Sequence, residues 1–136
     1  MFCRDIEKDL IPFCENNNMS ILCYGVLGGG ILTGKYKDSP KLERFDVRSF
    51  FYKYYKNSFF EKSKKMVDFL ENIAKEHKVP VSNVALNWVL KKDIVVSSLV
   101  GCRHLEQLKQ NIVAVDFDLK DEEYLLIEEH YRNVFF

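Results

Sequence analysis

The sequence predicts an α/β fold in which helices alternate with two parallel strands. Two short apolar runs have the composition of buried strands, residues 19–24 (MSILCY) and residues 94–100 (IVVSSLV). Segments with apolar residues at helical spacing precede, separate and follow these runs, which is typical of parallel βαβ units. With 136 residues, 47% of them hydrophobic, the chain has enough apolar material for one core, so we expect a single unit over residues 1–136.

The first helix is predicted near the N-terminus, where apolar residues recur at helical spacing after Asp5: Ile6, Leu10, Phe13 and Cys14. The Asp5 carboxylate can accept backbone N–H groups at a helix start. Pro12 lacks a backbone N–H, so we expect a kink or a restart within this segment. The first strand follows over residues 19–24, and we expect it to be buried on both faces, as parallel strands are.

A glycine-rich loop follows the first strand. Five of the six glycines lie between Gly25 and Gly34, at the position after a parallel strand where α/β folds usually bind ligands. Residues 29–35 match G-x-x-x-x-G-K, but Tyr36 stands where a P-loop NTPase needs Ser or Thr to hold Mg²⁺. We therefore reject that class and keep the expectation that the loop amides and Lys35 bind a phosphate, the alternative being a plain structural turn.

Aromatic and basic residues are mixed in the segment that follows, over residues 36–59. Such a mixture can bind single-stranded nucleic acid, or it can form one packed face of a helix with lysines outside. Twenty Lys and Arg balance twenty Asp and Glu, and this zero net charge favours packing. The residues expected on that face are Phe50, Phe51, Tyr54 and Tyr55.

Four helices and the second strand are predicted in the remaining chain. Helices are expected over residues 66–77 and 84–90, and the strand over residues 94–100. The next helix is marked by Leu105, Leu108, Ile112 and Val115, and the last begins near Asp121 and contains Tyr124, Leu126, Ile127 and Tyr131. Gly101 and Arg103 open a helix after the second strand, where an anion is favoured, so we expect one ligand with two phosphate groups to bridge both loops.

Two strands alone leave two open edges with unpaired backbone groups. We therefore expect the chain to be part of a larger fold, or to self-associate or bind a partner. The balanced charge disfavours nucleic acid and anionic membranes as partners. No apolar run approaches the roughly 20 residues of a spanning helix, and the charged N-terminus is unlike a signal peptide, so we expect a cytoplasmic protein.

Metal and catalytic patterns are not recognisable in the sequence. The four cysteines form no C-x-x-C pair and the three histidines are scattered, so no metal site is expected. No serine or cysteine has a local histidine partner, and we predict no catalytic residue in this chain.

Three segments together resemble a known family. CYGVLGGGILTGKY (residues 23–36), VALNWVL (84–90) and SSLVGCRHLEQLKQNI (97–112) are similar to the C-terminal part of the aldo-keto reductases. The resemblance implies a (β/α)₈ TIM barrel that reduces carbonyls with NADPH, of which this chain is the C-terminal fragment: strands seven and eight with their helices. The N-terminal barrel strands would then be absent, because Met1 falls where the sixth strand would end.

The family motif after strand seven, S-P-L-x-x-G-x-L-[ST]-G-K, folds over the pyrophosphate of the cofactor. The resemblance carries this role to Gly25, Leu27, Gly30 and Lys35. Gly25 and Val26 replace the usual Ser-Pro, so a hydroxyl contact is lost and the loop is expected to be looser.

The motif after strand eight, G-x-[SR]-x-x-x-Q-x-x-E-N, holds the adenosine end of the cofactor. The resemblance assigns this role to Gly101, Arg103, Gln107, Gln110 and Asn111. Arg103 would meet the 2′-phosphate and favour NADPH (NADP⁺) over NADH. Gln110 replaces the usual Glu, which makes the adenine contact neutral.

The family's catalytic Asp, Tyr, Lys and His come from earlier strands that this chain lacks. We therefore expect the isolated chain to be the cofactor-binding portion of the reductase and to be catalytically inactive. A carbonyl substrate would bind only in a complete barrel. The alternative is a non-catalytic, nucleotide-sensing interaction module derived from the same fold.

Overall fold

Helices and two strands alternate along the chain in the computed structural model, which describes residues 1–40, 45–46 and 53–136. The helices are α1 (Leu10–Asn16), α2 (Asn57–His77), α3 (Val81–Leu90), α4 (Leu105–Ile112) and α5 (Asp121–Phe135). The strands are β1 (Ile21–Tyr24) and β2 (Val95–Leu99). Short 3₁₀ segments lie at Asp5–Glu7, Gly28–Thr33, Lys53–Tyr55 and Val113–Val115.

β1 and β2 form a parallel pair, as the sequence predicts. Ile21 lies opposite Val95 and Tyr24 opposite Leu99, with an irregularity after Ile21. The prediction that the first strand is buried on both faces is wrong for the described residues, since Leu22 is 58% and Tyr24 85% exposed. The reason is that α3 packs against β2 on one side, whereas the described chain leaves the other side uncovered.

The N-terminal segment restarts at its proline, as the missing backbone donor predicts. A 3₁₀ turn at Asp5–Glu7 precedes α1, and Pro12 lies in the first turn of α1, where an N–H has no partner in the helix. The expected capping by Asp5 is wrong, because Asp5 lies inside the 3₁₀ turn and Arg4 is its N-cap residue, without a side-chain cap.

The core lies between α2, α3 and α5, because α2 packs against both of the other helices. Its largest fully buried side chains include Phe60, Met66, Leu70, Leu86 and Ile127. Tyr54 and Tyr55 are also buried, which confirms the packing interpretation for these two residues, although they lie on a 3₁₀ turn rather than an α-helix. Phe50 and Phe51 lie outside the described residues.

Apolar spacing locates α4, although the helix ends at Ile112 and Val115 lies in the following 3₁₀ turn, and the face that the spacing marks is exposed. Leu105, Leu108, Ile112 and Val115 are 45–68% exposed in the described structure, and α4 contains no buried residue. In α5 the same spacing marks Ile127 and Tyr131, which are buried, and Leu126, which is exposed.

An ion cluster of Arg4, Glu7 and Glu128 ties the N-terminal segment to α5. The Arg4 guanidinium donates to Glu7 at 2.8 Å and to Glu128 at 2.7 Å, and it lies 4.7 Å from the centre of the Tyr131 ring. Burial would raise the pKa of Glu7, but the hydrogen bond from Arg4 and the nearby Lys92 charge outweigh it and lower that pKa below its usual 4.5.

Within residues 1–40, 45–46 and 53–136, no helix is long and apolar enough to span a bilayer.

Candidate functional site

A cleft of about 700 Å³ lies at the carboxyl ends of β1 and β2. It is formed by the glycine-rich loop after β1 on one side and by the loop after β2 with α4 on the other. The structure brings all nine residues that the sequence singles out to this one cleft: Gly25, Leu27, Gly30, Lys35, Gly101, Arg103, Gln107, Gln110 and Asn111.

The loop after β1 winds in the left-handed region of backbone conformation. Gly28, Gly29 and Gly30 have φ values of 58°, 69° and 102°, which side-chain-bearing residues rarely adopt. At Gly28 an added Cβ would lie 2.9 Å from the Phe2 ring. At Gly30 it would lie 3.5 Å from the Lys35 ammonium, an ordinary contact, so the constraint there is the backbone φ of 102° rather than space.

Two hydroxyl groups hold this loop in place. Tyr55 donates to the Gly29 carbonyl at 2.7 Å, and Thr33 donates to the Gly30 carbonyl at 2.7 Å. Sequence analysis missed the role of Tyr55, because only the fold brings together two residues that are 26 positions apart. Its signal in the sequence is a phenolic hydroxyl, which Tyr52 and Tyr54 of the same run also carry.

Aromatic rings restrain the lysine at the edge of the loop. The Lys35 ammonium lies 4.7 Å from the centre of the Tyr36 ring, a cation–π distance. Tyr36 in turn meets Tyr55 edge to face at 5.9 Å. No helix begins at Lys35, which agrees with the rejection of a P-loop NTPase.

Short hydrogen bonds shape the loop after β2. The Arg103 backbone N–H donates to the Gln107 side-chain oxygen at 2.8 Å, and Asn111 donates to the Cys102 sulfur at 3.3 Å. Gln107 and Asn111 both line the cleft, and each uses one side-chain polar atom for a hydrogen bond to the loop after β2. Gln110 accepts a hydrogen bond at its backbone oxygen from Asn83 of α3, at 2.9 Å.

The charge of the cleft is positive. Lys35 and Arg103 line it, and none of its described lining residues is Asp or Glu. Two cations, amide side chains and glycine backbone around one cleft fit an anionic ligand that also offers hydrogen-bonding groups, such as a dinucleotide with several phosphates. The volume lies in the range of about 300–1,000 Å³ that is common for ligand sites.

A second cleft, of about 500 Å³, runs along the other edge of β1. Residues 21–26 line it consecutively, together with apolar side chains of the N-terminal segment and α3: Phe2, Ile6, Leu10, Ile11, Trp88 and Val89. Within the described part of the chain, no group of three or more His, Cys, Asp and Glu side chains could hold a metal ion.

Comparisons with known proteins match this chain almost from end to end. The model of the aldo/keto reductase family matches residues 1–132. An aryl-alcohol dehydrogenase from Pestalotiopsis microspora is 31% identical over 94% of this chain. An aldo-keto reductase from Schizosaccharomyces pombe, whose name specifies NADP(+), is 30% identical over 88% of this chain.

A solved structure agrees with the same family. The glycerol dehydrogenase from Gluconobacter oxydans superposes with a TM-score of 0.88 and 30% sequence identity over 98% of this chain. The chain spans 31% and 36% of the length of the two curated relatives and 40% of the dehydrogenase chain. The family and its solved relatives imply a (β/α)₈ barrel fold, and the 136 residues form a helix-rich α/β part of that kind. This chain belongs to the aldo/keto reductase family.

Proposed function

We propose that this chain is the cofactor-binding region of an NADPH-dependent aldo-keto reductase, with β1 and β2 as strands seven and eight of the barrel. The observation that carries the proposal is the cleft at the ends of both strands, which Lys35 and Arg103 both line and no described Asp or Glu lines. Binding sites of barrel enzymes lie at this end of the strands. The S. pombe relative supports the cofactor, since its name specifies NADP(+).

Each side of the cleft has a distinct role in this proposal. The loop from Gly25 to Lys35 binds the pyrophosphate through backbone amides and the lysine charge. Arg103 binds the 2′-phosphate, which NADH lacks, because a guanidinium forms paired hydrogen bonds with phosphate oxygens. Gln110 and Asn111 contact the adenine as neutral amides.

The proposed reaction is the reduction of a carbonyl group. The bound cofactor supplies a hydride for the carbonyl carbon, and a proton donor completes the alcohol. This chain's residues hold and orient the adenosine and phosphate groups. The family's catalytic Asp, Tyr, Lys and His have no counterpart at the positions of this chain, so we propose that the 136 residues alone do not reduce carbonyls.

The test is a calorimetric titration of the chain with NADPH and with NADH. The Arg103→Met variant should weaken NADPH binding about tenfold or more and leave NADH binding within about twofold, because only the 2′-phosphate contact is lost. Lys109→Met is the matched control, since Lys109 lies on α4, is 61% exposed and does not line the cleft. Equal losses for both cofactors in Arg103→Met would contradict the proposed role, and no NADPH binding by the unmodified chain would overturn the proposal.

We also propose that the uncovered side of β1 binds either the remaining barrel strands or a second copy of the chain. The support is the apolar cleft along the β1 edge and the exposure of Leu22, Tyr24 and Leu99. Addition of a separately expressed N-terminal barrel portion of a relative should yield a stoichiometric complex in sedimentation velocity. A monomer that binds neither itself nor that portion would contradict this proposal.

The same exposed surface favours a second candidate, a non-catalytic nucleotide-sensing interaction module. The two candidates differ in the complex with the N-terminal barrel portion. Carbonyl-dependent oxidation of NADPH by that complex supports the reductase, whereas cofactor binding without turnover supports the module.

A further inference from the structure

The helix that carries much of the cleft has no apolar anchor in the described structure. α4 contains no buried residue, and its apolar side chains Leu105, Leu108 and Ile112 are exposed. Its packing partner among the other helices is α3. Buried Ala114 anchors the turn that follows α4, and polar contacts between α3 and α4 help to position Gln107, Gln110 and Asn111 within the helix itself.

One buried side chain supplies such a contact. Asn83 on α3 is fully buried, and its amide nitrogen donates to the Gln110 carbonyl at 2.9 Å. The last four carbonyls of a helix have no partner within the helix, and Gln110 contributes one of these four. Asn83 thus satisfies an orphan acceptor at the end of α4. Among the described side chains it is the one that donates to α4 from another helix.

We propose that Asn83 is a positioning residue that sets the affinity of the cleft for the adenosine end of the cofactor. It acts through Gln110, which lines the cleft and whose backbone carbonyl accepts the Asn83 hydrogen bond. Ser82 lies beside it in the sequence and lines the cleft as well, with its hydroxyl 3.4 Å from the Asn83 side-chain oxygen. This inference rests on the proposed function, and it adds a residue that does not itself line the cleft.

The chain offers a matched control one helical turn away. Asn87 also lies on α3 and donates from its amide nitrogen to two backbone carbonyls, those of Ala114 and Phe117, each at 2.9 Å. These carbonyls follow α4 and do not line the cleft. Loss of either amide should destabilise the fold, but only loss of Asn83 should change cofactor binding.

The experiment compares Asn83→Leu and Asn87→Leu with the unmodified chain. Both variants remove an amide donor at similar side-chain volume, so we expect both to lower the midpoint of thermal unfolding. Calorimetric titration should show NADPH binding weakened about fivefold in Asn83→Leu and changed by less than about twofold in Asn87→Leu. Hydrogen exchange should become faster over residues 105–112 only in Asn83→Leu.

A double-mutant cycle with Gln110→Ala tests the route of the effect. If Asn83 acts through Gln110, Asn83→Leu should weaken NADPH binding by less than about twofold in the Gln110→Ala background. If Asn83→Leu no longer unfolds cooperatively, Asn83→Ser removes the same contact with a smaller side chain and takes its place in the cycle.

The outcomes separate this inference from the proposed function. Unchanged NADPH affinity in the Asn83 variant, or equal losses in the Asn83 and Asn87 variants, overturns the positioning role and leaves the cofactor site intact. No NADPH binding by the unmodified chain overturns the proposed function, and the positioning role with it.

Discussion

Apolar side chains are buried in one part of the molecule and exposed in another. The first part is the helix layer of α2, α3 and α5, and the second consists of the sheet and α4. Leu70 of α2 and Leu86 of α3 are buried, whereas Leu22 of β1 and Leu108 of α4 are exposed. Both sides have sequence patterns that predict burial. The difference shows that hydrophobic spacing marks both sets of residues alike, whereas in the described structure only the helix layer buries its set.

Truncation of one leucine on each side gives the largest expected effect. Leu70→Ala should lower the free energy of unfolding by about 2–5 kcal/mol, because it leaves a cavity in a fully buried position. Leu108→Ala, the same change on the exposed face of α4, should stay within about 0.5 kcal/mol. Urea unfolding measures both. A similar loss in the two variants would show that the α4 face is covered in solution.

The ion cluster of Arg4, Glu7 and Glu128 links the N-terminal segment to the helix layer. Its loss should have an intermediate effect on the free energy of unfolding. Arg4→Met leaves the Glu128 carboxylate, which is only 12% exposed, without its cationic partner. We expect a decrease of about 1–3 kcal/mol in the free energy of unfolding, which is less than for a fully buried pair because Arg4 is partly exposed.

Lys8→Met is the control for Arg4→Met. It removes the exposed contact of Lys8 with Asp5, at 4.0 Å, and should change the free energy of unfolding by at most about 0.5 kcal/mol. If both variants unfold at the same urea concentration, the Arg4 cluster does not stabilise the fold.

The pH dependence of stability follows from the lowered pKa of Glu7. Burial alone would raise this pKa, but hydrogen bonding and charge from Arg4 and the charge of Lys92 lower it below 4.5 in the folded chain. As the pH falls, Glu7 therefore becomes protonated in the unfolded chain before it does in the folded chain. The stability that Glu7 contributes is present above about pH 4.5 and is lost as the pH falls through the folded pKa.

Glu7→Gln removes this contribution. Urea unfolding at a series of pH values from 7 to 3 should show the variant less stable than the unmodified chain at pH 7, by less than about 1 kcal/mol, with the gap closing below about pH 4. A gap that widens towards low pH would reverse the assigned direction of the pKa shift.

The smallest effect on stability is expected on the open sheet face. Leu22→Gln replaces an apolar side chain that is 58% exposed, so the free energy of unfolding should change by less than about 0.5 kcal/mol. Self-association, measured by sedimentation velocity over a range of concentrations, should decrease because the apolar surface shrinks. If self-association is unchanged in Leu22→Gln, the surface by which two copies of the chain bind each other does not include Leu22.

The positions of helices and strands could be predicted well from the sequence where local signals suffice. Pro12 predicted the restart of the first helix, and the apolar run after Asp93 predicted β2. The start of α2 and the 3₁₀ turn at Tyr54 and Tyr55 could not be predicted, because a run of aromatic residues fits several backbone conformations. Burial on both faces of β1 was wrong because it depends on the layers that cover the strand.

The sequence by itself determined the glycine loop, the lysine after it and the arginine after β2, since each follows from residue types at short spacing. Only the tertiary structure decided that these loops share one cleft and that Tyr55 and Asn83 support it. Their hydrogen bonds join residues 26 and 27 positions apart, to Gly29 and Gln110. The physical reason is that every residue has a backbone carbonyl, which accepts a hydrogen bond from whichever donor the fold brings near it. The type of the accepting residue therefore does not indicate which side chain will donate.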